Sequence, residues 1–97
     1  MTLTWTPQAR QDLLAILSYI AQDAPGRAFD YGRKIEKKTR TLERFPTIGR
    51  QVPEFSEEIP DLREILIDDY RLVYRVHDRL IEIVTIFHGR RLPPSHL

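Results

Sequence analysis

The sequence predicts an α+β fold in which an N-terminal strand and a two-helix hairpin pack on a small, curved antiparallel β-sheet. Three observations carry this prediction. Residues 62–88 alternate β-branched and aromatic residues around two short polar pairs, residues 7–45 hold two amphipathic periods, and a Thr-Pro helix start follows a short alternating stretch. The 97 residues fit one domain with one modest core, spanning 1–97.

The elements follow in order. Residues 2–5, TLTW, alternate and stop before Pro7, which suits a short strand joining the sheet at an edge, with Trp5 as a core anchor. Thr6 is a helix N-cap and Pro7 a first helical residue whose missing N–H costs nothing. The first helix runs to about Gln22, packing Ala9, Leu13, Ile16, Leu17 and Ile20 on the sheet. A break at 23–26, with Asp23 as N-cap, opens a second helix that ends at Phe45 before Pro46. This helix is expected to bury Ala28, Tyr31 or Gly32, Ile35, Leu42 and Phe45. Its exposed basic run, Arg27 to Arg44, reads as a solvated face, with contact to nucleic acid or an acidic protein as the alternative. No aromatic interleaving there supports base stacking. Residues 46–61, PTIGRQVPEFSEEIPD, have no period and read as a surface loop, with Gly49-Arg50 as a turn.

Strands then follow at 62–67, 70–77 and 80–88, joined by Asp68-Asp69 and Asp78-Arg79 as two-residue hairpin loops. That register puts Arg63, Ile65, Ile67, Tyr70, Leu72, Tyr74, Val76, Ile81, Ile83, Thr85 and Phe87 on a core face. It leaves an open face holding Glu64, Leu66, Arg71, Val73, Arg75, His77, Leu80, Glu82, Val84, Ile86 and His88. Arg75 and Glu82 fall opposite each other there, as a cross-strand ion pair. Past the last strand, Arg90 and Arg91 are expected beside Arg71 and His88, forming a positive concavity suited to phosphate or acidic side chains.

Charge and composition bound the function. Net charge is +1, yet residues 25–50 hold eight Lys or Arg against three acids, and residues 51–69 hold seven acids against Arg63. There is no cysteine, no long apolar run and no export signal, so the cytoplasm is the expected location, with no membrane partner. No P-loop, dinucleotide fingerprint or metal-ligand spacing is present; neither cofactor nor metal is expected.

The order strand, helical hairpin, PTIGR loop, then LREILIDDYRLVYRV and IVTIFHGRR, resembles the RelE/ParE superfamily of bacterial type II toxin-antitoxin toxins. The resemblance covers almost the whole chain, and YRLVY and HGRR are its most specific parts. It implies an acidic antitoxin that wraps the toxin with a helix and an extended segment; Arg71, Arg75 and Arg91 are the expected antitoxin-binding residues. Two branches then divide. The ribosome-dependent ribonuclease branch cleaves mRNA without a metal, and the resemblance puts Arg71 and Arg91 in two of its catalytic roles. Its second-strand lysines are replaced by Leu62 and Glu64, and no tyrosine follows Tyr74. A Glu and His pair serves some members instead, which would make Glu64 and His88 general base and general acid. The branch that poisons DNA gyrase ends its last strand in a sequence like HGRR. That match favours a ParE-like gyrase poison whose target-binding residues are His88, Arg90 and Arg91, with the mRNA endoribonuclease as the alternative.

Overall fold

The computed structural model describes residues 1–94 and residue 97. Its order is β1 (Thr2–Trp5), α1 (Pro7–Asp23), α2 (Pro25–Arg44), β2 (Arg50–Gln51), a 3₁₀ turn (Pro53–Phe55), β3 (Leu62–Ile67), β4 (Tyr70–Val76) and β5 (Leu80–His88). The expected α+β architecture is present. Two helices pack on one face of a five-stranded sheet ordered β1-β5-β4-β3-β2. The sheet is mixed rather than purely antiparallel, because β1 runs parallel to β5 at the edge. The hairpins dictate antiparallel pairing for their own strands, whereas β1 is joined to its neighbour by no tight turn.

Thr6 starts α1 as expected and also stitches it to the sheet. Its Oγ1 accepts from the Ala9 N–H at 3.0 Å and donates to the Val84 carbonyl at 2.9 Å. Asp23 is not the cap of the second helix. It is the last residue of α1, and Ala24, extended at φ −149° because Pro25 follows, forms the junction. Pro25 then opens α2 without a side-chain cap. The helix buries Ala28, Tyr31, Ile35, Thr39 and Leu42, and Tyr31 donates to the Ile67 carbonyl at 2.6 Å. Phe45, expected in the core, is exposed, since it lies past the last helical turn. The main core joins Tyr31, Ile35 and Leu42 to Ile16, Ile67, Leu72, Tyr74, Ile81, Ile83 and Ile86, each buried Ile or Leu side chain contributing about 1.5–3 kcal/mol.

Two corrections concern the sheet faces. The first arises from a bulge: Tyr74 pairs with Ile83 but Val73 pairs with Thr85, so Val84 is an extra residue. Thr85 still reaches the helix side, but from Ile86 onward the side chains of β5 change face. Ile86 joins the helix-side core, while Phe87 turns to the far side, opposite the expected arrangement. Asp12 of α1 holds the distorted backbone, accepting from Thr85 Oγ1 and from the Ile86 N–H at 3.2 Å.

The second correction is that the face expected to be open is covered over its middle, where Glu64, Arg71 and Val73 are buried, and stays exposed at Leu66 and His77. Val52, Phe55 and Ile59, together with Leu62, Val73, Val84 and Phe87, build a second apolar cluster over it. The segment read as a surface loop is a closed strap whose ends bond as Val52 N–H to Leu62 carbonyl at 3.2 Å. Its entry is fixed by Tyr74, whose hydroxyl accepts from the Gly49 N–H and donates to the Pro46 carbonyl, both at 2.9 Å. Burial pushes that phenol above its ordinary value.

Among the described residues no helix is long and apolar enough to cross a membrane. A β-carbon on Gly49 would lie 2.5 Å from the Tyr74 hydroxyl and 2.6 Å from the Glu64 carbonyl. Gly49→Ala is therefore expected to lower unfolding free energy by about 1–3 kcal/mol in urea denaturation. Parental stability would show that the strap entry adapts without strain.

Candidate functional site

The expected catalytic residues fall into two groups on opposite sides of the sheet. On the strap side, Arg71 of β4 is 6% exposed and Glu64 of β3 is 1% exposed. Pairing of β3 with β4 sets Glu64 against Val73, which brings the carboxylate diagonally to the guanidinium. Arg71 Nε donates to Glu64 Oε1 at 2.7 Å. Its two terminal nitrogens donate as a fork to Glu54 Oε2 and Oε1 at 2.8 and 2.6 Å. Arg50 of β2 closes the cluster, donating from Nε to Glu64 Oε2 at 2.7 Å. The Phe87 ring lies under the Arg71 guanidinium, 4.9 Å from it, placed there by the bulge.

The result is a chain of alternating charge, Arg50, Glu64, Arg71, Glu54, buried at its middle pair and exposed at its two ends. The hydrogen bonds from Arg71 pull the Glu54 carboxyl down to about 2. Those same bonds to Glu54 raise Arg71 above its ordinary value, so it stays a cation at any working pH. Chemically the cluster is a brace. The donors of Arg71 face carboxylates, and Glu64 is held by two arginines.

His88 lies elsewhere. It pairs with Tyr70, and the two rings meet edge to face with centroids 5.4 Å apart on the helix side of the sheet. Its Nδ1 accepts the Arg90 N–H at 3.1 Å. The expected sharing of one face by Glu64 and His88 is thus corrected, because the bulge re-aims His88 toward Tyr70 on the helix side. The positive concavity does not form either, since the Arg71 guanidinium is turned into the carboxylates.

Arg90 and Arg91 are both exposed and take part in none of the ion pairs among the described residues. Arg91 borders an open groove of about 640 Å³ between α1 and β5, which Asp12, Tyr19, Tyr70, His88 and Leu92 also line. Of the expected antitoxin-binding set, Arg71 is occupied, Arg75 lies 3.7 Å from Asp61, and Arg91 is across the sheet. Arg75 and Glu82 hold the expected register, yet Glu82 instead meets His77 at 3.2 Å. No group of three or more metal-ligating side chains occurs among the described residues. Sequence reasoning missed Glu54, which sits in a stretch with no period, and took Arg50 for part of a turn.

Comparison with known proteins bears on this arrangement. Residues 3–93 match the ParE toxin of type II toxin-antitoxin systems, parDE. The chain belongs to the ParE toxin family. This toxin is 31% identical over 90 residues to Toxin RelE2 of Caulobacter vibrioides, covering 93% of this chain and 97% of that protein. Among solved structures it is similar to the chromosomal ParDE TA system from P. aeruginosa, with a TM-score of 0.75 and 25% identity over 91% of this chain and 95% of that one. The RelBE2 toxin-antitoxin complex from Mycobacterium tuberculosis shares the fold, with a TM-score of 0.54 and 24% identity over 90% of this chain and 95% of that one. A ParE-family toxin thus carries, at the position of its YRLVY arginine, a cation already neutralised from within.

Removing that cation should unfold the toxin rather than merely disarm it. Arg71→Ala leaves Glu64 buried beside a single arginine, and a loss of about 3–5 kcal/mol is expected from urea denaturation. Stability equal to the parent would remove the brace from the account. A pH series separates Glu54. Its carboxyl is depressed in the fold, so its contribution is complete above about pH 4.5 and is lost as pH falls toward 2. Because its side chain is 37% exposed, the effect is screened. Between pH 5 and 2, roughly, the stability of Glu54→Gln is expected to fall less steeply than that of the parent.

Proposed function

We propose that this toxin arrests growth by binding DNA gyrase, in the ParE manner, and not by cleaving RNA. The supporting observation is the location of Arg71, Glu64 and His88. An RNA-cleaving site needs a free cation beside the reacting phosphate and a base and acid within reach of it. Here the cation is enclosed by Glu54 and Glu64, and His88 lies across the sheet. What the toxin does offer is an exposed basic end, Arg90 and Arg91, beside the groove along α1.

We further infer a cognate acidic antitoxin, since both solved relatives are toxin-antitoxin systems. Arg75 and Arg91 lie on opposite sides of the sheet, so a partner that meets both has to wrap around the chain.

The likeness to Toxin RelE2 supports a second reading, ribosome-dependent mRNA cleavage. In that reading the strap carrying Glu54 has to lift away from Arg71 on the ribosome.

A supercoiling and cleavage assay with purified gyrase, run beside a ribosome-dependent mRNA cleavage assay, decides between them. Trapped gyrase–DNA cleavage complexes with intact mRNA are expected. Arg90→Ala with Arg91→Ala should cut trapping about tenfold, a transition of about 1.4 kcal/mol in binding, without moving the urea midpoint. Cleaved mRNA with unaffected gyrase would establish the second reading.

A further inference from the structure

We propose that the outer face of α2 is a second binding surface, one that holds the phosphate backbone of a nucleic-acid duplex without reading its sequence. The argument begins with spacing. Arg33, Lys37, Arg40 and Arg44 follow one another at steps of four, three and four, so they form a single ridge along the helix. This ridge lies opposite the buried stripe of Ala28, Tyr31, Ile35 and Leu42, and all four cations are exposed. Eleven residues of helical rise make it about 16 Å long. A duplex presents one negative charge per about 1.7 Å of its axis, so several phosphates face a ridge of that length.

The chemistry of the ridge separates a nucleic acid from an acidic protein. A specific protein interface has an apolar centre with a polar rim. This face has the reverse order. Shallow concavities at its middle are lined by five cations, Arg33, Lys34, Lys37, Lys38 and Arg40, with Asp30, Glu36 and Thr41 among them, and its exposed apolar groups, Phe29 and Phe45, stand at the two ends. Such a polar, positive centre is the pattern of protein–nucleic acid contact.

The end groups also argue for a duplex over a single strand. Arg33 lies over the Phe29 ring at 5.9 Å and Arg44 over the Phe45 ring at 5.6 Å, so one face of each aromatic is already covered by a guanidinium. The rings position cations instead of offering platforms for bases. Among the described residues only Arg40 of the ridge is in an ion pair, with Glu36 one turn before it, and that exposed pair is weak enough for a phosphate to compete.

This surface is distinct from the Arg90-Arg91 end, and its test contains neither gyrase nor ribosome. Fluorescence anisotropy with a labelled duplex of arbitrary sequence, from 50 to 200 mM salt, reads it directly. Three to four phosphate contacts predict a slope of log K against log salt of about −3. Lys37→Glu with Arg44→Glu should reduce that slope to about −1 and weaken binding more than tenfold at low salt, whereas Arg79→Glu, in the β4–β5 turn, should leave both unchanged. Urea midpoints equal to the parent confirm that the exposed substitutions leave the fold intact. Absence of duplex binding at 50 mM salt overturns the proposal, as does a slope that the double variant leaves unaltered. Equal competition by polyglutamate would reassign the ridge to an acidic protein, and tighter binding of single-stranded RNA would overturn the duplex assignment.

Discussion

The fold depends on Arg71 more than on any other polar group. A guanidinium near the centre of a sheet face is costly to bury, and here the cost is offset by Glu64 from the next strand, Glu54 from the strap and the Phe87 ring from the strand on the other side. Each partner comes from a different segment. The ion cluster therefore does what no apolar contact can: it specifies which way the strap closes, because only Glu54 brings a carboxylate fork to that position. The apolar cluster of Val52, Phe55 and Ile59 supplies the burial, and the charges supply the register.

The bulge at Val84 is the second constraint, and it acts on the same cluster. Without it, Ile86 would sit opposite Arg71 and Phe87 would point at the helices. By shifting the pairing one residue, the bulge slides an aromatic under the guanidinium and sends His88 to Tyr70. One displaced residue thus separates the two groups that a ribonuclease would need together.

Much of the fold was legible in the sequence because local rules govern it. Thr6-Pro7, the stripe of α1, the Asp68-Asp69 turn and the pairing of Leu62 through Val76 all rest on neighbours close in sequence. Asp68 supplies the positive φ, 54°, that such a turn requires. The failures are non-local. In Ile83-Val84-Thr85-Ile86-Phe87 nearly every residue is apolar, so alternation cannot reveal a shift in register, and the cause of the shift is Asp12, far away on α1. The strap has no period since its apolar residues are displayed by a 3₁₀ turn and bends. Arg71, Glu64 and His88 are conspicuous in the sequence as candidate site residues, but their grouping depends on the bulge and on Glu54, which local pattern does not encode.

The parallel docking of β1 has an effect on solubility. It covers the outer edge of β5 only from Leu80 to Ile83. Immediately beyond, Thr6 takes the Val84 carbonyl and Asp12 takes the Ile86 N–H, so side chains occupy backbone groups that a foreign strand would otherwise use. At the opposite edge β2 is two residues long, too short to template pairing. A chain with so much apolar β sequence thereby keeps both margins of its sheet unattractive to aggregation, and Asp12 serves as gatekeeper on a strand to which it does not belong.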